Sequence, residues 1–232
     1  AILLRSMSDR KRQRSSNSLT YLITGCSRGL GLEFVRQLID QGDHTIIATC
    51  RSPVDASQLK ALVRQADTGG CILHMIELDV ADEGSIAKLP AQLDLFGVEH
   101  IDVLIHNAGI SAPTHPIDLV ATAKAAVLRQ CFDVNAVGPL MITQTLMPWL
   151  AGASGRPPCR VLFVSSIMGS IEKTNAGSVS YRASKAALNM IAKCIAGEHG
   201  VGTKHDLRIT LCHPGWCDTD MGSAGGRSPP VK

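Results

Sequence analysis

Aromatic side chains are scarce in this chain, 3% of 232 residues against 45% apolar residues in all. The interior is therefore expected to be aliphatic, in a soluble globular protein of one ordinary domain, large enough to bury a real core. Long apolar runs are missing as well. None approaches the roughly 18 residues a membrane-spanning helix needs, and the first 18 residues lack the apolar core of a secretory signal. The formal charge is +3, but its location matters. Arg5, Arg10, Lys11, Arg12 and Arg14 against Asp9 place +4 in residues 1–18 and leave the body slightly acidic. A nucleic-acid-binding domain carries its cations on the folded body, and a short basic tail alone gives only weak, salt-sensitive attraction.

The eight cysteines, at 26, 50, 71, 131, 159, 194, 212 and 217, form no C-x-x-C pair. Free thiols in a reducing compartment are the expectation. Cys212, His213 and Cys217 lie close together, but no second pair completes a zinc-type spacing, so no metal site is expected. Residues 1–18 are Arg- and Ser-rich without an apolar period after Leu4 and read as a disordered extension. A mitochondrial transit segment or a nuclear-import patch shares that composition. The chain starts at Ala1 with Met7 inside, as a processed or fragmentary product would. The expected location is the cytoplasm, with mitochondria as the alternative.

No internal repeat or interdomain linker interrupts the pattern. Apolar, β-branched runs at 19–25, 44–50, 71–80, 101–109, 160–166 and 207–215 alternate with helical patterns. Helices are expected from Gly29 to Gln41, around 55–66, from Asp82 to Phe96, after Pro116 as far as Leu150, and around Tyr181. Strands separated by helices require right-handed crossovers and a mostly parallel sheet. The fold class is α/β, Rossmann-like and doubly wound, with helices on both faces. Ligands of such sheets sit at the carboxyl ends of the strands. Residues 152–158 and 222–230 read as loop and tail.

The first strand runs straight into TGCSRGLG, residues 24–31. Glycines there allow a tight turn and a close backbone approach to a pyrophosphate, and the following helix offers free N–H groups to it. Dinucleotide binding is the expectation, against a plain structural turn. An acidic residue at the end of the second strand would hold an adenosine ribose 2′-hydroxyl. The sequence instead reads ATCRS, with Arg51 and no carboxylate before Asp55. Arg28 adds a second cation. Two guanidiniums suit a 2′-phosphate, so NADP(H) is favoured over NAD(H); the bland alternative is two solvated arginines.

VSYRASKAAL, residues 179–188, sets Tyr181 and Lys185 four apart on one helix face. Leu188, Ile191, Ala192 and Ile195 form the buried stripe. Alone, the pair reads equally as the polar edge of an amphipathic helix. Asn135 lies four residues before Pro139, which has no N–H and disturbs the i−4 carbonyl. That carbonyl belongs to Asn135. It could hold a water, or the site could be an ordinary proline kink.

TGCSRGLG, HNAG at 106–109, Asn135, Ser166, YRASK at 181–185 and HPGWCDTDM at 213–221 occur in an order and spacing that resemble the short-chain dehydrogenase/reductase family. The likeness covers residues 19 to 222 and is greatest to its sniffer/C-factor-type carbonyl reductases. It implies an NADPH-dependent oxidoreductase that reduces aldehydes, ketones or quinones. Tyr181 would be the acid, Lys185 would lower its pKa and hold the nicotinamide ribose, and Ser166 would polarise the carbonyl. Ser165 competes with Ser166, whose position relative to Gly169 favours it. Asn135 would hold the relay water. Gly25, Ser27, Arg28, Gly29, Leu30, Gly31, Arg51, Asp79, Val80, Asn107, Ala108, Gly109, Tyr181, Lys185, Pro214, Gly215 and Thr219 would line the cofactor. His106 and His213 read as satisfied strand-end residues rather than catalysts, and Met190 and Met221 as packing residues.

The expected organisation is a tail at 1–18, an NADP-binding catalytic domain at 19–222 and a flexible tail at 223–232. A small-molecule substrate and a possible homodimer complete the expectation, with no nucleic acid or membrane partner. Three departures stand out: His106 stands where the family often has an asparagine, Ser166 and Tyr181 are 15 residues apart, and SAGGRSPPVK follows TDMG in place of the expected substrate-covering segment and seventh strand. The rival expectation is therefore a truncated, weakly active or inactive dinucleotide-binding or regulatory protein.

Overall fold

Six short apolar strands form one sheet, and a helical crossover joins each to the next in the chain. The computed structural model describes residues 18–111, 118–151 and 157–223. In chain order, β1 (Thr20–Thr24), α1 (Gly29–Gln41), β2 (Thr45–Cys50), α2 (Ser57–Gly69) and β3 (Ile72–Glu77) come first. Then follow α3 (Glu83–Ile86), α4 (Leu89–Leu95), β4 (Val103–His106), α5 (Ala125–Phe132), a π-helical turn (Asp133–Val137) and α6 (Gly138–Leu150). β5 (Arg160–Val164), a 3-10 turn (Ile167–Gly169), α7 (Val179–His199), β6 (Arg208–Cys212) and α8 (Asp220–Ser223) complete the order. The strand order is β3-β2-β1-β4-β5-β6, and all five pairings are parallel. This is the expected doubly wound architecture, and no seventh strand occurs among the described residues.

The helices cover the sheet in two layers. One apolar cluster joins Ile86, Leu93, Ile142, Leu146 and Leu188 to Leu22, Leu104 and Phe163. On the opposite face Val35, Ile39 and Leu59 pack against Ile23, Ile46 and Ile105. Only β5 pairs with β6 among the described residues, and Leu211 on that edge strand is 44% exposed. No helix of the described residues is long and apolar enough to cross a membrane.

Three expectations about elements are corrected. The helix expected from Asp82 to Phe96 is two, because Pro90 follows Leu89 at the start of α4 and its ring would crowd the carbonyl of Ile86, four residues back, where α3 ends. The helix expected after Pro116 begins only at Ala125. Residues 119–122 close a turn instead, with the Thr122 N–H on the Leu119 carbonyl at 3.0 Å and the Leu119 N–H on Thr122 Oγ1 at 3.1 Å. Finally, Met190 and Met221 are exposed rather than packed. Residues 1–17 and 224–232, on which the two tail expectations fall, lie outside the described residues, apart from Ser18 and Ser223 at their borders.

Candidate active site

The glycine turn is shaped by what it touches. Gly25 has φ +75°, and a Cβ there would stand 2.9 Å from Ala108 Cα. A Cβ on Gly31 would collide with the Gly25 carbonyl and the Asn107 amide, so only glycine lets α1 start this close to β4. Asn107 ties the two ends together. Its Nδ2 donates to the carbonyls of Thr24 at 2.9 Å and Gly25 at 3.1 Å, while the N–H groups of Asn107 and Ala108 donate to Thr24 Oγ1. Helix α1 has no side-chain cap and no acid in its first turn. Its N-terminal donors are thus open to an anion. Ser27, Arg28 and Gly29 are exposed beside it, and Arg51 is exposed beyond the end of β2.

The structure pairs Arg28 with a residue that the sequence did not single out. Arg28 Nη1 lies 3.1 Å from Asp220 Oδ2, with both side chains well exposed. Thr219, beside Asp220, faces Gly29, whose Cβ would lie 3.5 Å from Thr219 Cγ2. The segment after β6 therefore reaches the glycine turn through Thr219 and Asp220, after a bend where Gly215 has φ +84°. Beyond the carboxyl end of β3, Asp79 is half-buried, its Oδ1 accepting the Ala81 N–H at 3.0 Å. Val80 is buried, with its carbonyl against Gly138.

At the carboxyl end of β5 the remaining expected residues converge. Lys185 is 4% exposed. Its Nζ donates to the Val164 carbonyl at 2.8 Å and lies 5.8 Å from the centre of the Tyr181 ring. The Ser166 hydroxyl accepts the Met168 N–H at 3.2 Å and lies near enough to the Tyr181 phenol to favour its ionised form. Ser165 instead donates to Asn189 Oδ1 at 2.6 Å, so Ser166, not Ser165, faces Tyr181. Gly109 forms the floor: a Cβ there would lie 3.2 Å from Asn135 Oδ1 and 3.5 Å from Lys185 Nζ.

The electrostatics differ from the expectation that Lys185 lowers the tyrosine pKa. Burial pushes the Tyr181 phenol above its usual value, and the neighbouring Ser166 hydroxyl opposes this. The lysine is displaced in turn, since burial lowers its ammonium to about 8. The ammonium bonds the Val164 carbonyl of β5 rather than the phenol oxygen.

Asn135 is fully buried in the π-helical turn. Its Oδ1 accepts the Ile110 N–H at 2.8 Å, and its Nδ2 donates to the Ile110 carbonyl at 2.8 Å and to Ser184 Oγ at 2.9 Å. The Gly138 N–H bonds the Asp133 carbonyl, five residues back. Pro139 has no N–H to give the Asn135 carbonyl, so the expected fault in the ladder takes the form of a wider turn, which such sites commonly carry. His106 is buried and neutral, its pKa lowered to about 3 by desolvation. Its Nε2 lies 2.9 Å from Thr143 Oγ1 and its ring stacks on Phe163 at 4.7 Å, a packing role. His213 is exposed. All eight cysteines are free, five of them buried.

Comparison with known proteins fits this geometry. A family model described as short chain dehydrogenase matches residues 20–228. A short chain dehydrogenase of Penicillium aethiopicum, gsfK, is 35% identical over 208 residues, covering 89% of this chain and 78% of its own. The carbonyl reductase Sniffer of D. melanogaster superposes with a TM-score of 0.80 at 30% identity, over 92% of this chain and 86% of that one. An NADPH-bound carbonyl reductase from chicken fatty liver gives 0.76 at 30% identity, over 88% and 82%. The chain belongs to the short-chain dehydrogenase family of oxidoreductases.

Proposed function

We propose that the protein reduces a small carbonyl compound with NADPH, using Tyr181 as proton donor, Lys185 as its partner, Ser166 as carbonyl ligand and Asn135 as support. The observation that carries this reading is the convergence of Ser166, Tyr181 and Lys185 at the end of β5, above the Gly109 floor. A nicotinamide cofactor would supply the hydride to the carbonyl carbon. The residues present fit one: the first turn of α1 is uncapped and free of acids, and Arg28 and Arg51 stand exposed near it. No carboxylate follows β2 before Asp55, which favours the 2′-phosphate form.

In this reading Ser166 donates to the substrate carbonyl oxygen and polarises it. Tyr181 Oη delivers its proton to that oxygen as the bond reorganises. A raised phenol pKa keeps the proton on Tyr181 until it is needed, and the nearby ammonium of Lys185 then stabilises the phenolate left behind. The Asn135 carbonyl, which Pro139 leaves without its helical partner, would hold a water linking Lys185 to solvent. Asp79 and Val80 would meet the adenine, and Thr219 the carboxamide.

The test is NADPH consumption with aldehydes, quinones and diketones, comparing the wild type with Tyr181→Phe. The variant should fall by at least about a hundredfold, with NADPH binding intact. Equal rates would remove the enzyme reading, and tighter NADH than NADPH binding would remove the cofactor assignment. A homodimer belongs to the same reading, and a monomer in light scattering at micromolar concentration would refute it.

A further inference from the structure

The N-terminus of α7, where Tyr181 sits, is not capped by its own sequence. Ser178 precedes the helix at φ 53°, ψ 43°, and its side chain makes no capping bond. An ordinary N-cap is extended and turns its side-chain oxygen back onto the N2 or N3 amide. A left-handed residue is not in that conformation, so the first-turn donors need an acceptor from elsewhere.

Asp118 supplies it from 62 residues away. Its Oδ2 accepts both the Ser180 N–H at 2.9 Å and the Ser180 hydroxyl at 2.6 Å. Its backbone carbonyl accepts the Val179 N–H at 3.3 Å. Asp118 is 5% exposed and Ser180 fully buried, so water does not compete for these bonds. The second carboxylate oxygen, Oδ1, is buried without a hydrogen-bond partner among the described residues. It is costly to keep such an atom dry, and a position that served stability alone would do better without it. Asp118 also lies near Cys131, whose thiol is pushed upward by burial first and by the Asp118 charge second. Arg182 fixes the other side of the bend, with Nε donating to the Gly177 carbonyl at 2.8 Å.

We propose that Asp118 is a positioning residue for Tyr181: its carboxylate and its carbonyl together cap α7 from the β4–α5 connection and fix where the phenol stands. The residue after Ser180 is Tyr181 itself, so a rotation or fraying of that first turn moves the phenol directly. The charge is also well placed, since a carboxylate at a helix N-terminus opposes the partial positive charge there. This proposal rests on the reading of Tyr181 as the acid.

The test compares wild type, Asp118→Ala, Asp118→Asn and Leu146→Ala, a core substitution far from the machinery, in three measurements. These are steady-state kinetics, amide hydrogen exchange over residues 179–185, and phenolate absorbance against pH. The protein has two tyrosines, so subtracting Tyr181→Phe isolates the Tyr181 titration. Asp118→Ala should lower kcat between about ten- and a hundredfold, the range that a misplaced reacting group produces. KM for NADPH and for the carbonyl should change by less than about twofold. The first-turn amides should exchange faster, and the Tyr181 midpoint should fall toward its ordinary value as burial loosens. Asp118→Asn, which keeps an acceptor oxygen, should recover most of kcat. Unchanged kcat in Asp118→Ala, or an equal loss in Leu146→Ala despite a similar drop in Tm, would overturn the role.

Should the wild type turn over no carbonyl, the enzyme reading fails by itself. Exchange and titration still decide Asp118, and no change in either in Asp118→Ala overturns it. If that variant does not fold, Ser180→Ala serves: it removes one donor to the carboxylate and should speed exchange at Tyr181 and lower kcat, and the absence of both effects sinks the proposal.

Discussion

Lys185→Met should make the cofactor-free protein more stable at neutral pH. Lys185 is 4% exposed, and its one side-chain hydrogen bond among the described residues runs from Nζ to the Val164 carbonyl. Burial lowers its pKa from 10.5 to about 8. At about 1.4 kcal/mol per tenfold change in Ka, that is about 3 kcal/mol against keeping the ammonium charged in the fold. Methionine matches the length without the charge, and leaves the Val164 carbonyl short of one partner, at about 1 kcal/mol. The net gain at pH 7 is about 2 kcal/mol, or about 4–8 °C in Tm for a chain of this size. The sign reverses with pH. Because the folded pKa lies below the unfolded one, the unfolded state binds more protons between pH 8 and 10.5, and wild-type stability from this group rises across that window. Above it the variant's advantage disappears and the missing hydrogen bond leaves it slightly the weaker protein. Thermal melts of both proteins in reductant, from pH 6.5 to 11, measure the difference. A variant less stable than wild type at pH 7, or a difference that stays flat from pH 8 to 10.5, would refute the reasoning.

Gly31→Ala forces a Cβ against the Gly25 carbonyl and the Asn107 amide, so it should cost about 1–3 kcal/mol and weaken NADPH binding; a normal urea midpoint together with a normal fluorescence titration would contradict this. Asp220→Asn frees Arg28 from an exposed ion pair, and such pairs are worth at most about 1 kcal/mol. NADPH should then bind up to about fivefold tighter with NADH unchanged, and equal gains for the two cofactors would exclude Arg28 as the reader of the 2′-phosphate. For His106, the Thr143 hydroxyl donates to the Pro139 carbonyl at 2.8 Å, so its oxygen accepts from an Nε2–H imidazole. Nitrogen NMR should find that tautomer with no titration from pH 5 to 8, because the folded pKa is about 3. The stability it confers is complete above pH 6.5 and declines as the pH falls toward 3, a decline that His106→Asn should reduce.

The parts of the site that local geometry dictates were legible in the sequence. The spacing of TGCSRGLG placed α1 to the residue, and the interval of four between Tyr181 and Lys185 placed both on one face of α7. Less legible was anything decided by a distant partner. Pro139 announced a fault near Asn135, but a kink and a widened turn break the same bond. The wider turn is held by the pairing of the Asn135 amide with both backbone groups of Ile110, which no local pattern encodes. The acidity of Tyr181 was misjudged for a related reason. Spacing gives proximity to a lysine, whereas the burial that raises the phenol and the Val164 carbonyl that holds the Lys185 ammonium depend on the assembled fold. Asp118 carries no motif at all, and its role depends on a left-handed Ser178 that the sequence does not announce. Asp220 was visible only as part of a motif, and its pairing with Arg28 requires the segment after β6 to fold back.

These distant partners share a location. The π-helical turn at Asn135, the buried ammonium of Lys185 and the left-handed Ser178 each carry a conformational or electrostatic cost, and all lie around the first two turns of α7. The rest of that helix is ordinary: Leu188, Ala192 and Ile195 fill the core on the far side of the same 21-residue element. A long helix anchored by its later turns can carry a strained first turn without unfolding, since fraying one end gives up none of that apolar contact. The strain is then opposed locally, by Asp118 at the helix start, by the Asn135–Ile110 pairing beneath it and by Val164 at the lysine. Removing any one of these three should therefore loosen the phenol before it unfolds the protein, because the groups that position Tyr181 and the groups that hold the sheet together are different residues of the same helix and its neighbours.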